Sequence, residues 1–494
     1  MISIFDQSDL QPYLHDASNM PGGGAASVLI PDNEREVATA LAAASNANTP
    51  VTIAGAGTGI VGGRIPFGGI VLSTERLNVI RRIDTDHGVA GAGVILNDYV
   101  MAAKQKGLLY APDPTEWSCF LGGTVATNAS GARTFKYGAT RNHICRLRIA
   151  LSTGELLDLR RGKFFAEPDG SFTLPLESGR TLAGKLPGYH MPETRKNASG
   201  YYVAPGMDLI DLFIGSEGTL GLVTEVETRF LPLPKDQLSG VVFFESQYDL
   251  LSFVTEARDL SFASRRSQTL NTIDATALEY FDSESLGFMR GNNPSIPLQA
   301  AGAILFEQEL TSETEDTLLS AWMELFETNR AMLDDSWFAT NETDRARLRD
   351  FRHALPVKVN EWLTHHRQRK VSTDMAVPDD RFPAMLDFYQ QELKSARLQY
   401  VIFGHIGDSH VHVNILPRND DEAALARVIY GRFVERAVSV GGTVSAEHGI
   451  GKLKKDYLHV LYGDSLLKEM AALKRIFDPA CVLGRGTMFS ESYL

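Results

Sequence analysis

Late in the chain, Gly404-His405-Ile406-Gly407-Asp408-Ser409-His410-Val411-His412-Val413-Asn414 gathers more reactive side chains than any other stretch. Strand alternation from residue 410 puts His410, His412 and Asn414 on one face, with Val411, Val413 and Ile415 on the other. His405 approaches from the preceding glycine turn. A second pair, Glu447-His448, lies between glycines in the segment from Gly441 to Gly451, where small residues permit close approach. Two or three imidazoles with one carboxylate suit Zn²⁺, Mn²⁺ or Fe²⁺ and leave positions open for a substrate. One isolated histidine is more often structural. Here four of twelve, His405, His410, His412 and His448, fall in these two motifs, with His353 or His366 as a candidate fifth, which favours a metal or catalytic cluster.

Three glycine-rich segments offer backbone rather than side-chain chemistry. Gly55-Ala56-Gly57-Thr58-Gly59-Ile60-Val61-Gly62-Gly63 follows the apolar run Val51 to Ala54, so several N–H groups can converge on an anion. Ile60 stands where G-x-G-x-x-G needs its third glycine, and no Walker lysine follows. A plain glycine turn fits this segment equally well. The second segment is Pro112-Asp113-Pro114, then Gly122-Gly123-Thr124-Val125-Ala126-Thr127-Asn128-Ala129-Ser130-Gly131, small enough for backbone to lie against a planar ligand. The third, Asp211 to Gly221, reads as a strand followed by the turn Ile214-Gly215-Ser216-Glu217-Gly218-Thr219-Leu220.

The elements that must position these groups follow from periodicity. The run Val28 to Val94 alternates short β-branched strands with a helix from about Asp32 to Asn46, an α/β pattern. A strand near Leu147 to Leu151 follows, and Leu231-Pro-Leu-Pro234 reads as a hinge. Beyond it, strands at Val241 to Phe244 and Ala303 to Phe306 interleave with helices near Asp249 to Asp259 and Thr311 to Thr328, a separate α+β domain. The last quarter predicts a strand at Tyr400 to Phe403 and helices over Asp421 to Ser439 and Ser465 to Phe477.

At 494 residues, with 44% apolar and 22% charged residues, the chain has the composition of two or three globular domains. A net charge of −13 argues against nucleic acid as a partner. Short basic runs at Arg160, Arg161 and Lys163 and at Lys452, Lys454 and Lys455 read as solvated faces or anion contacts. Three cysteines without a CxxC pair indicate neither a zinc ribbon nor a disulfide framework. The first twenty residues do not resemble a secretory signal, and no apolar window spans a membrane, so the expectation is cytoplasmic, with peripheral membrane contact and a homodimer both compatible.

Taken together and in order, from about residue 20 to 490, these motifs resemble the FAD-linked oxidases with a PCMH-type flavin domain, in the D-2-hydroxyacid dehydrogenase branch. The resemblance implies an α+β protein: a two-subdomain FAD-binding domain over 20–234, a substrate or cap domain over 235–425, and a C-terminal helical segment over 426–494 returning to the flavin. It implies FAD held by Gly55, Ala56, Gly57, Thr58, Gly59, Gly62 and Gly63, lined by Pro112, Asp113, Pro114, Gly122, Gly123, Ala126, Asn128 and Gly131, and closed over by Ile214, Gly215, Gly218, Thr219, Leu220 and Val223. The segment Lys196-Asn-Ala-Ser-Gly200-Tyr201 looks like the family's lead into that closure. Ligands to a divalent metal fall on His405, His412 and Glu447, and a general base on His448, taking the hydroxyl proton while the C2 hydride passes to flavin N5. Arg352 resembles the family's carboxylate clamp, Lys370 is a second candidate, and Asn414 would hydrogen-bond nearby.

The implied reaction is oxidation of a small D-2-hydroxy acid such as D-lactate to the 2-oxo acid, with electrons passed to a quinone, cytochrome or electron-transfer flavoprotein. An oxygen-using oxidase of another alcohol, a non-redox metal-dependent hydrolase and a noncatalytic FAD-binding protein are the alternatives. Two departures stand out. Where the family reads G-D-G-N-x-H this chain has Ser409 and His410, and near the C-terminus Gly484-Arg485-Gly486 replaces an asparagine, proline and glycine. The first glycine loop has no histidine for covalent flavin attachment, which leaves His143 as the residue to check.

Overall fold

The computed structural model describes residues 1–268, 272–311, 314–339 and 341–494. Three sheets position the site. The first takes the strands Ile2–Ile4, Ser27–Ile30, Ile70–Ser73 and Val51–Ala54 in that spatial order, its last two pairings parallel. The helix Glu34–Asn46 packs Val37, Leu41 and Ala44 against it. Asn33, not Asp32, caps that helix, its Oδ1 accepting from Glu36 N at 3.0 Å; Asp32 instead pairs with the N-terminal amine at 2.9 Å. The second sheet is antiparallel, in the order Ile80–Ile83, His87–Gly91, Leu222–Arg229, Ile144–Ala150, Leu156–Arg160.

The third sheet carries most of the reactive side chains. Its seven strands run Trp337–Phe338, Asp236–Phe244, Gly302–Leu310, Ala277–Asp282, Tyr400–Gly404, His412–Ile415 and Val371–Ser372, with every pairing antiparallel. Helices Gln247–Ser267 and Glu315–Thr328 cover one face around Phe253, Phe306, Trp322 and Phe326. The expected helix from Thr311 thus starts at Glu315, residues 312 and 313 lying outside the described ones. Helices Ser283–Met289 and Glu342–His366 cover the other, with Phe281 against Phe351.

Several expectations need correction. Gly122, Gly123 and Ala126 lie in a short helix, Leu121–Thr127, that their composition did not announce and that ends when Asn128 turns left-handed at φ 49°. No strand precedes the third glycine segment: a 3₁₀ turn, Leu209–Leu212, does, because Asp208 caps it, and the strand Leu222–Arg229 follows instead. The Leu231–Pro234 hinge is pinned at one end, where Leu231–Pro232 pairs with Leu108–Leu109. The expected helix from about Ser465 is present, and one the periodicity did not reveal precedes it from Lys455, the two separated at Gly463 (φ 70°). Residues 425 and 426 fall inside the helix Asp420–Ser439, so the chain does not break where the second expected region meets the third.

Candidate active site

The strand Tyr400–Gly404 delivers His405 at its end, and the strand His412–Ile415 returns beside it with Phe403 opposite His412. Gly404 is needed there: its φ is 119°, and a Cβ would stand 3.1 Å from His412 Cδ2. Ser409 takes the left-handed conformation (φ 53°) that the family's glycine would adopt more readily, and its hydroxyl is tied to Asp379 Oδ1 at 2.6 Å. The result is three imidazoles in mutual contact, with ring centroids 4.7 to 5.5 Å apart. Glu447 closes the group, Oε1 lying 3.3 Å from His405 Nε2 and Oε2 3.6 Å from His412 Nε2. His405, His410, His412 and Glu447 each present a ligand atom within 4.8 Å of the others.

Three acidic or basic groups that spacing did not reveal hold this cluster. Glu279, nearly buried in the middle of the apolar strand Ala277–Asp282, accepts from His405 Nδ1 at 2.6 Å and pairs with Arg352 at 3.5 Å. Burial would raise its carboxyl, but His405 and Arg352 outweigh that and hold it at about 2. Burial likewise opposes the charge on His405, yet Glu279 and Glu447 push it to about 9. Asp374, fully buried, accepts from Lys454 Nζ at 2.7 Å, Ser445 Oγ at 2.6 Å and His448 N at 3.0 Å, and faces His448 Nδ1 at 3.3 Å. Burial is overcome there too, by His448 and Lys454, so its carboxyl lies well below the usual range. Lys196, 1% exposed, donates to Gly131 O at 2.8 Å and to Glu447 Oε1 at 2.5 Å, joining the second glycine segment to the cluster. A charge inside an apolar strand was the available signal for Glu279; Asp374 and Lys196 carried none beyond their neighbours.

His448 stacks on His412 at 5.3 Å, and burial outweighs Asp374 to lower it to about 4. Asn414 is buried, with Oδ1 unpartnered. Arg352 is half-buried beside Glu279, whereas Lys370 is exposed at the start of the strand Val371–Ser372. His366 bonds its own helix at Trp362 O, 2.9 Å away, and neither it nor His353 belongs to the ligand group. Of the second basic run, Lys452 and Lys454 are buried: the solvated-face reading fails because they serve Gly63 O and Thr487, and Asp374, respectively.

On the other side of Lys196 the glycine segments meet. Gly131 lies so close to Asp113 O that a Cβ would stand 1.8 Å away, and Gly122 packs inward on Ala92. At Gly55, Gly59 and Gly123 a Cβ would meet no atom within 4 Å, so this backbone presents a bare face, as a flat cofactor requires. The Gly55–Gly63 loop follows Val51–Ala54, and Lys452 N reaches Val61 O at 2.9 Å, bringing it beside the Glu447 motif. Glu217, in the third glycine segment, reaches the Glu447 motif too, accepting from Ile450 N and Gly451 N at 2.7 Å each. Ile214, Thr219 and Leu220 are fully buried, Thr219 bonded to Tyr201 Oη at 2.7 Å, while Gly218 and Val223 are half-buried. Gly215 N donates to Val125 O, which ties the third segment to the second. His143 is buried, with Nε2 on Tyr137 O at 2.9 Å.

The FAD binding domain family matches residues 25–160, and the family of FAD linked oxidases, C-terminal domain, matches residues 247–488. The chain is an FAD-linked oxidoreductase. Glycolate oxidase subunit GlcD of Bacillus subtilis is 28% identical to it over 97% of this chain and 92% of that protein. D-lactate dehydrogenase of Anaerostipes hadrus is 28% identical over 96% and 92%, and D-2-hydroxyglutarate dehydrogenase of Xanthomonas citri pv. viticola 28% identical over 98% and 93%. A solved alkyldihydroxyacetonephosphate synthase shares the oxidoreductase's fold at a TM-score of 0.66 and 16% identity, over 98% of this chain and 81% of that one. The hydrolase alternative is thereby set aside. No described helix of the oxidoreductase is long and apolar enough to cross a membrane.

Proposed function

We propose that the oxidoreductase oxidises a small D-2-hydroxy acid, D-lactate or a close analogue, to the 2-oxo acid and passes the electrons to an external acceptor. The observation that carries this reading is Lys196: one buried ammonium bonds both Gly131 O, on the glycine side, and Glu447, on the imidazole side. The two kinds of site therefore face one substrate. The names of the relatives support the substrate class.

In this reading residues 20–234 form the cofactor domain, with Gly55–Gly63, Pro112–Pro114, Leu121–Gly131 and Ile214–Val223 around FAD, residues 235–425 form the substrate domain, and residues 426–494 return to both. FAD supplies the acceptor for the two electrons of the C2–H bond. A divalent ion would be held by His405, His412 and Glu447, and would supply a Lewis acid for the substrate's hydroxyl and carboxylate oxygens. The donors fit such an ion: Glu447 Oε1 and Oε2 stand 3.3 and 3.6 Å from the Nε2 atoms of His405 and His412, close enough for one ion to lie among them. His405 would give up its proton on binding it.

The remaining steps belong to the chain's own side chains. With Nδ1 of His448 turned to Asp374, Nε2 is the nitrogen left to take the hydroxyl proton. Arg352 offers its guanidinium to the substrate carboxylate while Glu279 fixes its position, Lys370 adds charge, and Asn414 offers an unpartnered Oδ1. The test is an anaerobic visible spectrum of the FAD-loaded protein with D-lactate, D-2-hydroxyglutarate, glycolate and, where they exist, the L-enantiomers. Bleaching by a D-acid but not its mirror image is the expected result; a flavin that no 2-hydroxy acid bleaches refutes the substrate class.

A further inference from the structure

His410 stands where the family's motif has asparagine, and the structure gives it no ordinary role. It is fully buried, yet neither ring nitrogen makes a hydrogen bond. Its one close polar neighbour is Asp374 Oδ1, 3.2 Å from Nε2, too poorly aligned to satisfy it. A buried imidazole without partners costs about 1–3 kcal/mol, so an unligated His410 would be a liability in a core otherwise well paired.

The other two imidazoles show how such a ring is used. His405 turns Nδ1 to Glu279 and Nε2 toward Glu447; His412 turns Nδ1 to Thr373 O at 3.3 Å and Nε2 toward Glu447. Each has an acceptor behind one nitrogen and the shared carboxylate before the other, the arrangement that orients metal-ligating histidines. His410 shares the setting without the hydrogen bonds: Asp374 Oδ1 stands 3.2 Å from Nε2, and a ring nitrogen lies within 4.8 Å of the ligand atoms of the other three.

We propose that His410 is a fourth protein ligand, making a three-imidazole, one-carboxylate centre in place of the two-imidazole centre that the motif alone implies. This rests on the reading of His405, His412 and Glu447 as ligands. Four protein ligands close a tetrahedral ion, whereas a six-coordinate ion keeps two positions, the number that a hydroxyl and a carboxylate oxygen of one 2-hydroxy acid occupy. The centre therefore takes an ion that accepts six ligands, Mn²⁺ or Fe²⁺, in its working state.

X-ray absorption at the Mn edge of the FAD-loaded protein counts the imidazoles directly. Three are expected in the wild type and two in His410→Asn, with Mn²⁺ held at least about tenfold more weakly by the variant in competition with EDTA. Two imidazoles in the wild type overturn the proposal, and so does an unchanged count and affinity in the variant; loss of the ion from His405→Ala alone would then leave the three-residue site standing. A wild-type protein that takes up no Mn²⁺ or Zn²⁺ overturns both. Should His410→Asn fail to fold, the wild-type count decides by itself.

Discussion

The two halves of the site are built from opposite materials. Around the glycine segments the working atoms are backbone N–H and C=O groups and bare Cα faces, at Gly55, Gly59 and Gly123, supported by tight backbone contacts such as Gly131 on Asp113. Around Glu447 they are charged side chains, each buried and each depending on another: Glu279 on His405 and Arg352, Asp374 on Lys454 and His448, Glu447 on Lys196. A backbone site tolerates the loss of one contact, because its shape is set by many bonds. A charge network does not, since removing one partner strands another in a low dielectric.

The sharpest test of that contrast is His448→Ala, expected to slow flavin reduction by a D-2-hydroxy acid about 10²- to 10⁴-fold in anaerobic stopped-flow while FAD content stays unchanged. Loss of FAD in this variant would show that the halves are not separable. Asp374→Asn leaves Lys454 buried without its carboxylate and should cost about 3–5 kcal/mol, read as a lower urea midpoint. An unshifted midpoint would mean that the network is looser than its geometry.

On the backbone side, Gly123→Val fills the bare face and should weaken FAD binding about tenfold or more, with the melting temperature of the FAD-free protein unchanged, whereas Gly131→Ala should lower that temperature because a Cβ collides with Asp113 O. Equal effects of the two would erase the distinction between lining and packing.

Glu217 joins the halves, and burial, opposed by its backbone donors and by Lys454 and Lys452, pushes its carboxyl up to about 7. A raised carboxyl binds its proton more tightly in the folded chain. Its folded-state advantage is thus complete below its ordinary value and is lost as pH rises through about 7. Relative to Glu217→Gln, the wild type should therefore lose about 3 kcal/mol of stability between pH 4 and 8, measured by urea unfolding across that range. Parallel pH profiles would remove Glu217 as the cause. The smallest effect belongs to Lys370→Ala: a KM rise of about threefold with kcat kept, since an exposed charge contributes little. A fall in kcat instead would move Lys370 into the chemistry.

Local pattern made much of this legible. The strand His412–Ile415, though not His410 before it, and the glycine loop after Val51–Ala54 both appear where expected, because each depends on residues adjacent in the chain. The 3₁₀ turn Leu209–Leu212 and the helix at Leu121–Thr127 were harder, since short runs leave helix, strand and turn close in energy and tertiary contacts such as Gly122 on Ala92 decide. Glu279, Asp374 and Lys196 were hidden for a different reason. Their roles exist only across long sequence separations, Lys196 to Glu447 and Asp374 to Lys454, which no spacing rule records.

One pairing bears on how the protein is made. The strand that feeds the first glycine loop is not finished by its own domain: Val51 N donates to Val482 O at 2.8 Å and Gly484 N to Val51 O at 2.9 Å, while Lys474 holds the carbonyls of Thr219 and Leu483, each at 2.8 Å. Residues about 430 positions further along the chain thus complete an edge laid down early. During translation the early sheet waits with that edge exposed to other strands until those residues emerge.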